Sequence, residues 1–158
     1  MNANFWGQMS EEYLQHHPET PPLTDEALVA FEKRSGLKLP RALTDLLRIK
    51  NGGLLQNTDF KFDGKEFQVT YFKSLTTDES FDGIRSYANI LSDAETAEMR
   101  EQLQKKAGDP SRLLLVAEPL DFPYAFALNY NHLSSSGEPS VYYVCLVWGE
   151  EVKVNCLA

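Results

Sequence analysis

The run LTDEALVAFEKRSGLKLPRALTDLLRIKNGG, residues 23–53, constrains the fold more than any other part of the chain. Its punctuation leaves room for two short helices and nothing longer. Thr24 is a good N-cap, and Asp25 and Glu26 place negative charge at the positive helix start. Leu23 and Leu28 are spaced to close a hydrophobic staple over that cap. Leu28 and Phe31 then face inward, and Gly36 stops the helix in a left-handed conformation. Leu39-Pro40 opens the second helix, with Pro40 suited to the first helical position, where a missing N–H costs nothing. Leu43, Leu46 and Leu47 make its apolar stripe, and Asn51-Gly52-Gly53 ends it.

The rest of the chain divides around this pair. His17-Pro18-Glu19-Thr20-Pro21-Pro22 is extended by its prolines. Before it, Phe5, Trp6, Met9, Tyr13 and Leu14 carry helical spacing and predict a short helix that packs back on the body. After the pair, Phe60, Phe62, Phe67, Val69 and Tyr71 alternate around Asp63-Gly64, a hairpin signal. Lys73–Ile90 has no clear period and reads as loop. A third helix is predicted over Asp93–Ala107, with Ser92 and Glu95 as a capping box and Gly108-Asp109-Pro110 as its stop. Its apolar face is thin (Ala94, Ala97, Leu103), which predicts a surface helix. Leu113–Ala117, Tyr124–Asn129, Val141–Trp148 and Val152–Cys156 are short apolar or alternating runs separated by turns. The polar stretch Asn131–Pro139 lies between two of them as a loop. Helices first and turn-separated strands after them predict an α+β fold, with N-terminal helices packed on a mainly antiparallel sheet.

The length of 158 residues suits one domain, 1–158, made of an N-terminal helical segment with its proline-rich lead-in (1–22) and a main body (23–158). A chain of this length can bury a core without a metal or disulfide staple, and 42% hydrophobic residues is a globular composition. Its 23 Asp and Glu against 15 Lys and Arg give a net charge of −8. That balance argues against nucleic acid and anionic membrane as partners, since both are held by Lys and Arg. It allows a basic protein partner, whose opposite field speeds encounter, and it equally serves solubility alone. No run reaches the ~20 apolar residues of a membrane span, and the start MNANFWGQMSEEY lacks the features of a signal peptide. The expected compartment is therefore the cytosol. Cys145 and Cys156 form no CxxC pair or Cys/His cluster and are expected as buried free thiols.

Signals for chemistry are sparse. His16, His17 and His132 lack partners at metal-ligand spacing and read as solvated. The run Ser134–Ser136 lies in no GxSxG elbow, and the glycines form no phosphate-binding pattern. No catalytic residue, cofactor or metal is expected. A hydrolase built on two facing loop carboxylates stays open, because such a pair is defined by spatial separation. Aromatic residues beside loops and strand ends are the better clue. Exposed among acids, they would form a protein-binding surface.

The 23–53 run resembles the signature of the SUKH superfamily, the Smi/Knr-type domain: an acidic first helix, the Gly36–Pro40 junction, a Leu-rich second helix and the terminal Asn51-Gly52-Gly53. Phe5-Trp6 and Pro21–Thr24 resemble the lead-in of a bacterial subgroup. Arg112–Ala117 is similar to the family's LLPIA strand, and Tyr124–Tyr130 with Gly137–Val141 to its hairpin. Asn129 stands where the family often has Asp, Asp121-Phe122-Pro123 replaces its central Trp and Gly-Asp pair, and its final helix is expected to be missing. The resemblance implies a binding module rather than an enzyme. Many bacterial members are immunity proteins that bind a toxin, often a nuclease, encoded beside them. Others are intracellular regulators or scaffolds, the alternative reading. For a basic toxin partner, the acidic and aromatic loop residues Asp78, Glu79, Phe81, Asp82, Glu118, Asp121 and Phe122 are the candidate interface. Leu39, Pro40, Leu43, Leu47, Asn51 and Gly52 are assigned structural roles, and the oligomeric state is left open.

Overall fold

The computed structural model describes residues 6–8, 10–16, 19–56, 58–62, 64–77, 83–119 and 123–157. These fall into two compact units, Met1–Gly83 with Ala117–Leu120, and Ile84–Val116 with Asp121–Ala158.

In the first unit, helix α1 spans Glu11–His16. It starts later than the spacing suggested. Trp6 is held extended instead, in an antiparallel bridge to Leu55, with the Gly7 N–H donating to the Leu54 carbonyl at 2.9 Å. Phe5, Met9, His17 and Pro18 lie outside the described residues, as do the side chains of Tyr13 and His16. Helix α2 is Asp25–Ser35 and is capped as its sequence dictates. The Thr24 hydroxyl accepts the Ala27 N–H at 3.2 Å, and Gly36 closes the helix at φ 69°. Its buried residues are Ala27 and Phe31, with Leu28 only half-buried. Helix α3 is Arg41–Ile49, so Pro40 is its N-cap and not its first residue. Pro40 keeps ψ 141°, extended backbone, and its carbonyl accepts from Thr44. Leu43, Leu46 and Leu47 are buried as the stripe requires.

Strands β1 (Gly53–Leu54) and β4 (Tyr71–Phe72) pair antiparallel, and Tyr71 and Phe72 pair in turn with Glu118 and Ala117. Between them, β2 (Asp59–Phe62) and β3 (Lys65–Gln68) form the expected hairpin. Its register pairs Phe62 with Lys65, which leaves a two-residue connection. Gly64 sits there at φ 73°, and Asp63 lies outside the described residues. The hairpin keeps Phe60 and Phe62 partly exposed, with Phe60 stacked on Phe67 at 5.5 Å.

The second unit is a sheet with helices. Strand β5 (Arg85–Ser86) pairs with the start of β6 (Leu113–Glu118), and the strands β6, β7 (Tyr124–Leu133), β8 (Pro139–Cys145) and β9 (Lys153–Cys156) follow in that order. The β7–β8 and β8–β9 pairings are antiparallel. Strand β7 runs on to Leu133, so the expected loop contracts to a tight turn in which the Ser134 N–H donates to the Glu138 carbonyl at 2.8 Å. Within the supposed loop Lys73–Ile90, Tyr87–Ile90 forms a short helix, α4, whose N-cap Ser86 accepts from the Asn89 N–H. Four residues are too few to register as a period.

The third predicted helix is a 3-10 turn at Ala94–Thr96 followed by α5, Ala97–Ala107. The Ser92–Glu95 capping box does not form. Asp93 is the N-cap, without a side-chain bond, because the chain enters through the tighter turn. Nor is α5 only a surface helix. Leu103 and Ala107 join Tyr87, Leu91, Leu113 and Val144 in the core of this unit, while Ala94 and Ala97 stay exposed. Cys145 is buried, but Cys156 is exposed on β9, which among the described residues has a neighbouring strand on one side only. Three helices lead, α4 and α5 fall between β5 and β6, and the strands pair mainly antiparallel, so the fold is α+β.

Candidate functional site

The seven candidate interface residues fare unequally. Asp78, Glu79, Phe81, Asp82, Asp121 and Phe122 lie outside the described residues. Glu118 is described, and it is not a free surface acid. Its carboxylate pairs with Lys73 at 2.8 Å, and the lysine side chain is only 5% exposed against 28% for the glutamate. Lys73 also sits over the Tyr71 ring, 5.7 Å from its centre. Burying an ammonium costs several kcal/mol unless it is paired (roughly), so Glu118 is tied to holding Lys73 in place.

Exposed aromatic and acidic residues do come together, but at a place the sequence did not single out. The 3-10 turn and α5 bring Glu95, Glu98, Met99 and Gln102 to one side of an open groove. The turn after β8 brings Trp148 and Gly149–Glu151 to the other. The groove encloses about 290 Å³. Trp148 was read as the end of a strand. The strand stops at Cys145, and the indole is 64% exposed. Gly149 turns the chain at φ 76°.

Two side chains of α5 fix that turn. The Gln102 carbonyl oxygen accepts the Val152 N–H at 2.9 Å, and its amide donates to Glu98 at 3.3 Å. Lys106 donates to the Val152 carbonyl at 2.7 Å and pairs with Glu151 at 2.5 Å. Val152 itself is fully buried and anchors the turn to the core. The Lys106 ammonium, through its hydrogen bond first and its charge second, holds the Glu151 carboxyl below the usual glutamate range. Among the described residues, Glu95 and Glu150 carry no ion pair. The groove is therefore net negative, with one indole wall.

Histidine and serine add no chemistry. The His132 ring stacks on Tyr142, with centres 6.1 Å apart. Ser134 and Ser136 bond each other at 2.8 Å within their turn. No group of three or more His, Cys, Asp or Glu among the described residues could hold a metal ion. No helix of the described residues is long and apolar enough to cross a membrane.

Asn51 directs its polar atoms at backbone, and Asn129 directs its own at backbone and at the Tyr142 hydroxyl. Asn51 donates to the carbonyls of Pro21 and Leu75 and accepts the Leu75 N–H, at 2.7–2.9 Å. It thereby ties the lead-in, the end of α3 and the segment after β4 together. Asn129, with no exposed surface, donates to the Ala107 carbonyl at 2.9 Å and accepts from the Asn131 N–H. The carbonyl it satisfies belongs to the last residue of α5.

Residues 22–156 match the model of the SMI1 / KNR4 family (SUKH-1), and the chain belongs to that family. A search of curated proteins finds no match. Membership supports a non-catalytic, protein-interaction role of the kind typical of the superfamily.

Proposed function

We propose that this protein is an immunity protein, one that binds and neutralises a toxin domain encoded beside it. The family match carries the reading, since such pairing with polymorphic toxins is the common occupation of these domains. The net charge of −8 supports a basic toxin, with nucleases the leading class. A nuclease cleft is positive because it holds phosphate, and an acidic protein can enter that field and mask it. Inhibition requires no bond to be made or broken by the immunity protein, so it needs no catalytic residue, cofactor or metal. The loop residues Asp78, Glu79, Phe81, Asp82, Asp121 and Phe122 form the proposed interface, with Glu118 contributing through its bond to Lys73. The complex forms in the cytosol, where an uninhibited toxin would act.

Co-expression with the neighbouring toxin domain tests the proposal. Growth is expected to be rescued, and the two proteins are expected to co-purify one to one. A toxin that kills equally in the presence of the protein, with no complex recovered, removes the immunity role. A host partner captured in its place would favour the regulatory or scaffolding alternative.

A further inference from the structure

Trp148 is left mostly in water, and the groove it lines is shared with four glutamates and with Met99 as its other large apolar side chain. A buried indole would contribute several kcal/mol (roughly) of hydrophobic stabilisation, so its exposure forgoes stability the fold could have had. The turn that presents it is nevertheless held by Gln102 and Lys106 of α5 through three bonds, to the Val152 N–H, the Val152 carbonyl and the Glu151 carboxylate. A tethered turn and an outward indole are what an interface anchor needs, since little is lost in ordering it on binding.

We infer that the Trp148 groove is a docking site for an arginine side chain presented by a protein partner. The occupant follows from charge and shape. Indole faces attract cations, and a planar guanidinium stacks on them while its edge N–H groups remain free to donate. Glu95, Glu98 and Glu150 supply acceptors around the ring, and Glu151 is already engaged by Lys106. Met99 gives the aliphatic stem an apolar surface to lie on. At about 290 Å³ the groove is at the small end of ligand sites, which run from roughly 300 Å³, and it suits one side chain better than a whole ligand. The inference rests on the protein-binding reading above, but it uses none of the loop acids proposed there. Gln102 and Lys106 are positioning residues in it, acting through the Val152 backbone.

The test uses the whole protein and a defined probe. The chain has two tryptophans, so its nitrogen-15 spectrum holds two indole signals, and Trp148→Phe assigns them. Titration with a blocked Gly-Arg-Gly-Arg-Gly peptide is expected to move the Trp148 signal saturably and leave the Trp6 signal in place. The same peptide with citrulline for arginine, equal in shape but uncharged, is expected to bind at least about tenfold more weakly. Glu98→Gln combined with Glu150→Gln should produce a loss of the same size, while unchanged backbone amide signals of Leu103, Val144 and Val152 report an intact second unit. An unsaturable response, an equal response to the citrulline peptide, or full affinity in the double variant would overturn the inference. If the toxin does not bind but the peptide does, the immunity reading falls and the groove stands. If the toxin binds Trp148→Ala at full strength and the peptide does not bind, the reverse holds.

Discussion

At the scale of single residues, two glycines with similar backbones separate conformational from packing demands. Gly36 and Gly52 both have positive φ, 69° and 85°. A Cβ on Gly36 meets nothing within 4 Å, whereas on Gly52 it would stand 2.8 Å from the Ser74 nitrogen and 2.9 Å from the Phe72 carbonyl oxygen. Gly36→Ala should therefore cost only the left-handed strain, about 1–2 kcal/mol. Gly52→Ala adds a collision with backbone that cannot rotate away, and is expected to exceed about 3 kcal/mol. Denaturant midpoints of the two variants check the ordering, and equal losses would refute the packing account.

Asn129 makes a comparable case where the family often has aspartate. Asn129→Asp replaces an N–H donor to the Ala107 carbonyl by an oxygen that repels it, in a site with no exposure. The Asn131 N–H would still serve one carboxyl oxygen, but burial with no cation beside it pushes the carboxyl upward in pKa. The neutral form is favoured when folded, so the variant's deficit is small below the unfolded pKa of about 3.9 and grows as pH rises through that value. Near neutral pH it is expected to reach about 2–4 kcal/mol. Stability profiles of the two proteins from pH 3 to 7 (roughly) should diverge in that direction.

At the scale of elements, what the sequence made legible is what local chemistry decides. The α2 cap, the Gly36 stop, the α3 stripe and the Asp63-Gly64 hairpin each follow from a few neighbouring residues, and each appears where those residues put it. What escaped depends on distant partners. Helix α5 looks superficial because only Leu103 and Ala107 of its length are buried, in a core drawn from α4, Leu91 and strands as far on as Val144. The groove was illegible for the same reason. Glu95 and Trp148 are 53 positions apart, and the clamps from Gln102 and Lys106, with buried Val152, bring their elements together. Those clamps are testable. Lys106→Met removes both the hydrogen bond and the charge that lower the Glu151 pKa, so the Glu151 carboxyl should titrate at higher pH in the variant. A depressed carboxyl favours the folded state above its unfolded pKa, and that contribution is lost as pH falls through the folded value. Carboxyl carbon NMR across the acid range reads the shift directly, and an unmoved Glu151 midpoint would detach Lys106 from the turn.

At the scale of the whole molecule, the excess of eight acids is an electrostatic field more than a set of bonds. Paired acids contribute little to it locally. Glu118 spends its charge on Lys73, and Glu101 and Glu151 theirs on Lys105 and Lys106. The field felt by an approaching partner comes from the acids left over. Such a field acts mainly on the rate of encounter, over a screening distance of about 8 Å at physiological salt. Asp78, Glu79 and Asp82 are placed within five positions of one another, so reversing all three to lysine changes the net charge from −8 to −2. Association with the toxin domain is then expected to slow by at least about tenfold at low salt, with dissociation changed far less. The slope of association rate against ionic strength should flatten together with it. Stopped-flow association at several salt concentrations separates the two effects. A slower rate with an undiminished salt slope would place the steering charge elsewhere on the protein, and an unchanged rate would remove this loop from the interface.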